Sequence, residues 1–144
     1  MRVSAKVDYA LRATAGLAAA QLEAVQSKAD RAGPVKGERL AASQQIPLNF
    51  LENILLELRR SGIVASQRGA EGGYWLAKPA AEVTVADVIR AAEGPIATVR
   101  GARPEDVAYT GAATALREVW IELRASMRGV LETTTLADLV ERSA

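Results

Sequence analysis

Apolar residues recur every three or four positions from about Ser4 to Gln26, at Val7, Leu11, Ala15, Ala18, Leu22 and Val25, and this period predicts an amphipathic helix with Ser4 as its N-cap. The period stops at Ser27. Lys28, Asp30, Arg31, Gly33, Pro34 and Gly37 follow without pattern, so 27–37 reads as a loop. Helix is expected again over Glu38 to Ser43 and, after a tight turn at Gln44-Gln45-Ile46, over Pro47 to Ser61. Pro47 suits the first helical position and Gly62 the position just past the end. Two short β-type runs come next, Ile63 to Arg68 and Gly73 to Ala77, around the tip Gly69-Ala70-Glu71-Gly72, and they read as a hairpin that Pro79 ends. Thr84 and Asp87 have the spacing of a capping box at the head of a short helix through Val85, Val88, Ile89 and Ala92, closed by Gly94-Pro95. Residues 95–111 read mainly as loop. A long helix is predicted over Ala112 to Leu131, with Leu116, Val119, Trp120, Leu123, Met127, Val130 and Leu131 on one stripe, and Thr135 with Asp138 predicts one more capped turn.

Two helices across a tight turn, followed at once by a hairpin, is the order of a winged helix-turn-helix. The second helix separates into two arcs at about 100° per residue. Leu48, Phe50, Leu51, Ile54, Leu55 and Leu58 form an arc expected to face the core, and Asn49, Glu52, Asn53, Glu57, Arg59 and Arg60 form the other, with Leu56 as its one apolar member. Asn pairs with adenine, Glu accepts from cytosine N4 and Arg holds guanine or phosphate, so the polar arc carries the groups a major groove requires. A merely solvated helix face carries the same residue types. The hairpin shifts the balance: no acid occurs from Leu58 through Arg68, while Arg59, Arg60 and Arg68 all do, and Arg68 stands at the base of a Gly-rich tip from which a long cation can reach a narrow minor groove. The tip fits neither of the glycine-rich phosphate-binding patterns.

Charge sharpens this reading and composition removes alternatives. Residues 1–78 hold 11 basic and 7 acidic side chains against 7 and 10 in residues 79–144, so the N-terminal half is the better match for a polyanion although the whole chain is only +1. A chain of 144 residues that is 49% hydrophobic is expected to fold as one unit. Its longest uncharged stretch is 12 residues, Leu40 to Leu51, too short to span a membrane, and charges at Arg2, Lys6, Asp8 and Arg12 break up any secretory signal, so a cytoplasmic protein is expected. Zero Cys and zero His exclude disulfides, thiolate-ligated zinc, cysteine-held iron–sulfur clusters, Cys–His pairs and Ser–His–Asp triads. The carboxylates are scattered, and no pairing logic selects Tyr74, Lys78 or Glu71, so an enzyme is not expected.

Met1 to Ala13, Ile46 to Asn53, Leu58 to Val64, Arg68 to Pro79 and Val83 to Pro95 together resemble the IscR-like (Rrf-type) family of bacterial transcriptional regulators. The resemblance is nearly continuous over 1–95, and the Leu116 to Leu131 segment is similar to the family's dimerisation helix. It implies a mainly α winged helix-turn-helix with a small β-hairpin wing, in which 1–95 is the DNA-binding domain and 96–144 supplies a loop and a long dimerisation helix packed with the N-terminal helix. It further implies a homodimer, a repressor reading a palindromic operator in double-stranded DNA. Asn49, Glu52 and Asn53 match the base-reading region, Arg59 and Arg68 match minor-groove or backbone contacts, and Arg60 belongs to the same basic run. Many relatives hold an iron–sulfur cluster on three cysteines after the Glu-Gly-Pro segment; residues 94–111 here contain none, so no metal and no cofactor is expected and the usual input signal is lost. Asp8, at a position that resembles a non-cysteine ligand in some relatives, is then a surface residue. The effector, a small molecule or a protein, stays open.

The stripe Leu116, Trp120, Leu123 and Met127 has two readings, internal core or the seam between two protomers, and the symmetry of operators favours the seam. Trp75 and Trp120 are expected to pack. A winged helix can also dock a protein, and for such an adaptor the acid-free run of Arg59, Arg60 and Arg68 would have no use.

Overall fold

The computed structural model describes residues 1–28 and 33–144; the expected loop residues Asp30 and Arg31 lie outside the described residues. The described residues form, in chain order, α1 (Ala5–Gln26), α2 (Gly37–Gln44), α3 (Leu48–Arg60), a hairpin of β1 (Val64–Gln67) and β2 (Gly73–Leu76), α4 (Val85–Glu93), α5 (Leu116–Leu131) and α6 (Leu136–Arg142). The mainly helical winged helix-turn-helix expected from the sequence is the observed fold.

Helix α1 starts where Ser4 accepts a hydrogen bond from the Val7 amide. Its inner face is built of small residues, Ala10, Ala13 and Ala18 with Val7 and Leu17, all buried, and α2, α3, α4, α6 and β2 pack around it. Gly16 shows why bulk is excluded there: a Cβ would lie 2.7 Å from Leu40 Cδ1 of α2. Among the described residues Thr14 is the one buried polar residue, and its hydroxyl donates to the Ala10 carbonyl at 2.9 Å, so its burial leaves no orphan. Val25, in the expected stripe, is 69% exposed, because the last turn of α1 runs beyond the elements that cover it.

The joints are set by polar contacts. Arg12 is held by Asp8 at 2.6 Å and donates to the Gln44 carbonyl at 2.9 Å, which fastens the end of α2 to α1. Asp8 is thus occupied as a surface ion-pair partner. Gln45 takes the left-handed conformation (φ 55°) that lets α2 give way to α3 within three residues. Pro47 sits at the N-cap of α3, one position before the expected one, and Gly62, with φ 80°, ends the helix as anticipated. Gln21 bonds both the Lys78 carbonyl and the Ala80 amide, at 3.0 and 2.7 Å, and anchors the chain where it leaves the hairpin.

In the hairpin Val64 pairs with Leu76, Ala65 with Trp75, Ser66 with Tyr74 and Gln67 with Gly73. Val35, just before α2, exchanges two 2.8 Å backbone hydrogen bonds with Tyr74 on the outer edge of β2. A Cβ on Gly73 would lie 2.5 Å from the Val35 carbonyl oxygen, so glycine is what allows this third segment to approach.

The chain after α4 passes through short 3₁₀ turns at Pro104–Asp106 and Gly111–Ala113, and α5 begins at Leu116, four residues later than the pattern predicts, because Gly111 (φ 59°) and the turn after it hold 111–115 outside the helix. Helix α6 returns to the core: Leu136 is fully buried, its amide donates to Val83, and the Val85 amide donates to Thr134, which sets two capping boxes, Thr84 with Asp87 and Thr135 with Asp138, side by side. No helix among the described residues is long and apolar enough to cross a membrane.

Two expectations about stability follow from this packing. Leu58 is fully buried and Leu56, two residues away, is 41% exposed. Leu58→Ala is therefore expected to cost about 2–5 kcal/mol in urea unfolding and Leu56→Ala less than about 0.5 kcal/mol; equal costs would contradict the assigned core face. The second concerns acid. The Arg124 hydrogen bond holds the Glu105 carboxyl below its ordinary 4.5, and hydrogen bonds from Arg128 and then Arg90 do the same for Glu132. Carboxyls depressed in the folded state contribute stability above the ordinary carboxylate range, and that contribution is lost as pH falls below it. The thermal midpoint is expected to fall on acidification below about pH 4.5, more gently in Glu132→Gln; identical acid profiles would contradict the role of this pair.

Candidate nucleic-acid interface

Helix α3 buries Leu51, Ile54, Leu55 and Leu58 and turns its opposite side outward. The buried arc is narrower than the sequence suggests. Leu48 and Phe50, both expected in the core, are exposed, Phe50 by 57%, because α1 and α2 meet them only along one edge, Phe50 beside Tyr9 with ring centroids 6.5 Å apart and Leu48 beside Gly37. Glu57, expected on the outward face, is turned back to Lys6 of α1 at 2.8 Å and is half-buried. What remains on the outward face is Asn49, Glu52, Asn53, Leu56 and Arg60, all exposed.

The wing lies against the C-terminal half of this face. Arg59 donates to the Ser66 hydroxyl of β1 at 3.3 Å, so one of the predicted DNA contacts is also a strut between α3 and the wing. Lys36, from the segment before α2, donates to the Ala70 carbonyl and reaches the Gly69 carbonyl at 3.4 Å, which ties the wing tip to the start of the helix-turn-helix. Lys36 carries no sequence signal as a site residue; only the antiparallel pairing of Val35 with Tyr74 brings it to the tip. Arg68 stands just past the last strand pair, exposed, at the rim of a cleft whose walls include Lys36, Glu52, Arg59, Ser66 and Tyr74. The structure therefore brings Glu52, Arg59 and Arg68 to one cleft, while Asn49, Asn53 and Arg60 stand on the helix beside it. Among the described residues, the side chains of Asn49, Glu52, Asn53, Arg60 and Arg68 make no hydrogen bond or ion pair. Long cations and amide groups left without internal partners, on a convex helix with a β-ribbon alongside, can hydrogen-bond to phosphates and base edges.

The second candidate surface is α5, none of whose residues is buried. The side it turns to its own chain is the arginine face. Arg117 donates to the Glu105 carbonyl at 3.0 and 3.1 Å and Arg124 bonds the Glu105 carboxylate. The apolar stripe is rotated away from that face by about 100°. Leu116, Leu123 and Met127 on it are half-exposed, Trp120 donates to the Tyr109 hydroxyl at 3.0 Å, and Val119 and Val130 are 50% and 64% exposed.

Sequence and structure comparisons agree with this geometry. The family profile Rrf2, described as "Iron-dependent Transcriptional regulator", matches residues 3–142. A Mycobacterium tuberculosis protein named as a helix-turn-helix type transcriptional regulator is 50% identical over 139 residues, which span 96% of this chain and 81% of that one. The structure of CymR, the global cysteine regulator of Bacillus subtilis, superposes with a TM-score of 0.80 at 33% identity over 100% of this chain and 99% of its own. That of T. potens IscR gives 0.77 at 30% identity, covering 100% of this chain and 89% of its own. The iron in the family's description finds no fitting donor set here: the sequence has no Cys and no His, and among the described residues no three Asp or Glu converge. The matched profile, the relatives and the winged helix-turn-helix together make this chain a member of the Rrf2 family of DNA-binding transcriptional regulators, and not an enzyme.

Proposed function

We propose that the protein is a homodimeric repressor, acting in the cytoplasm, that reads a palindromic operator without an iron–sulfur cluster. The observation that carries this reading is the outward face of α3, where Asn49, Glu52 and Asn53 stand exposed and unpaired beside a wing that offers Arg68. In the proposed complex α3 lies in the major groove, with Asn49, Glu52 and Asn53 at base edges and Arg59 and Arg60 toward the backbone. The wing follows the strand and sets Arg68 in the flanking minor groove. Residues 1–95 perform the reading and 96–144 join two copies. Repression needs only that the occupied operator excludes other proteins, and a small-molecule or protein effector would set the occupancy.

Dimerisation through Leu116, Trp120, Leu123 and Met127 is supported by the stripe to which they belong: they are only half-buried in the single chain, and Val119 and Val130 beside them are exposed, whereas the arginine face of α5 bonds its own protomer. A second copy is the occupant that two-fold operators call for, and two such helices can exceed the roughly 1,200 Å² of a stable interface.

Two measurements test these proposals. Binding of the gene's own promoter and of a random duplex is compared by gel shift at fixed salt. Asn49→Ala and Glu52→Ala are each expected to cost about 1–3 kcal/mol on the promoter and little on random DNA. Arg68→Ala should weaken both duplexes with a shallower salt slope if it meets phosphate, and mainly sites with A·T-rich flanks if it enters the minor groove. Equal affinity for both duplexes, unmoved by any of these changes, would favour a protein-docking winged helix instead. For assembly, sedimentation of the wild type at micromolar concentration is expected to give a dimer, and charged residues at Leu116 and Leu123 a monomer or an insoluble chain. A monomeric wild type refutes the seam.

A further inference from the structure

Away from the DNA-facing surface, a pocket of about 210 Å³ lies between α4, the segment after it and α5. Four arginines from three parts of the chain line it: Arg90 on α4, Arg103 before the 3₁₀ turn, and Arg124 and Arg128 one turn apart on α5. Pro95, Ile96 and Pro104 give it an apolar wall, and Thr98 contributes a hydroxyl-bearing side chain. No carboxylate lines it. The acids that balance these arginines stand outside: Arg90 and Arg128 share Glu132, the latter at 2.9 Å, Arg103 bonds Asp106 at 3.0 Å, and Arg124 bonds Glu105.

Structural ion pairing accounts for part of this arrangement and leaves a remainder. Three carboxylates face four guanidiniums, so one positive charge is uncompensated within the group, and each carboxylate engages only part of a fork that carries five N–H donors. The three carboxylates offset most of this charge, and the remaining positive charge, beside an apolar wall that strengthens its field, favours the entry of an anion. A guanidinium fork matches the oxygens of a phosphate group, and several forks from different directions match a tetrahedral one. The volume is about seven times the ~30 Å³ a water occupies, which suits a group of that size.

We propose that this pocket binds a small dianionic oxyanion of phosphate type, either free phosphate or the phosphate group of a small metabolite. Binding would clamp α4, which packs on α1 beside the helix-turn-helix, to α5. This links the site to DNA affinity; that link rests on the function proposed above, whereas binding itself does not.

The test is isothermal titration of the full-length protein with inorganic phosphate, and separately with glycerol phosphate, in buffer held at constant ionic strength with chloride. Saturable binding of one per chain is expected. Loss of one charge-assisted fork corresponds to about tenfold or more in dissociation constant, so Arg103→Gln and Arg128→Gln should each weaken binding by that factor, Arg128→Lys less, and Arg142→Gln, distant on α6, not at all. The tighter of the two probes identifies whether the bare ion or an ester is preferred. Arg103 is about two-thirds exposed, so its variant is expected to fold, which circular dichroism checks alongside. No heat and no saturation with either probe, or equal weakening by Arg142→Gln, would overturn the site. Gel shifts with and without the bound anion then read the link to DNA; saturable binding with unchanged DNA affinity removes the link and leaves the site standing.

Discussion

The close packing of α1 is the constraint on which the rest of this structure depends. A helix whose inner face is mostly small, Ala10, Ala13, Gly16 and Ala18 beside Val7 and Leu17, lets α2, α3, α4, α6 and the wing approach the same cylinder closely. Their larger residues, Leu40, Leu51, Leu55, Leu58, Val88 and Leu136, supply the volume. Close-packed interiors resist change in either direction, and this one fixes the angle at which α3 leaves the turn. The arc of α3 left over after Leu51, Ile54, Leu55 and Leu58 are buried is the arc that can meet DNA.

Polar contacts then refine a geometry that hydrophobic burial alone would leave loose. Arg12 fastens the turn of the helix-turn-helix, Gln21 fastens the exit of the wing, Arg59 braces the wing on α3 and Lys36 braces its tip. Exposed ion pairs contribute little to stability individually. Their value here is directional, because they fix where the wing and Arg68 stand relative to the outward face of α3. Arginines likewise hold α5 to its own chain, through the Glu105 carbonyl and carboxylate.

Membership of the Rrf2 family coexists here with the loss of the chemistry in the family's description. The chain has no thiolate or imidazole, and the segment between α4 and α5 carries arginines, prolines and carboxylates instead.

The elements, their order and their caps are legible in the sequence because each rests on local physics. Ser4, Thr84 and Thr135 cap the helices they precede, Gly62 ends α3, and the period of the apolar residues finds α1 and the heart of the α3 core; on α1 the buried face is rotated from the expected stripe, so that Ala10, Ala13, Thr14 and Leu17 join Val7 and Ala18 inside while Leu11, Ala15 and Leu22 are half-buried. The polar arc of Asn49, Glu52 and Asn53 and the acid-free basic run to Arg68 are legible for the same reason. The sequence misses what depends on which neighbours arrive. Leu48 and Phe50 have the hydrophobicity of core residues, but their neighbours on α1 and α2, Tyr9 and Gly37, meet them along one edge and leave the rest exposed. Glu57 belongs by period to the outward face and is drawn inward by Lys6, 51 residues away. Periodicity finds the stripe on α5 without saying what covers it, because that depends on which side of the helix the Glu105 segment occupies. Lys36 at the wing tip and the four arginines around one pocket are far apart in the chain, and only folding, which closes loops whose ends the local sequence cannot relate, brings them together.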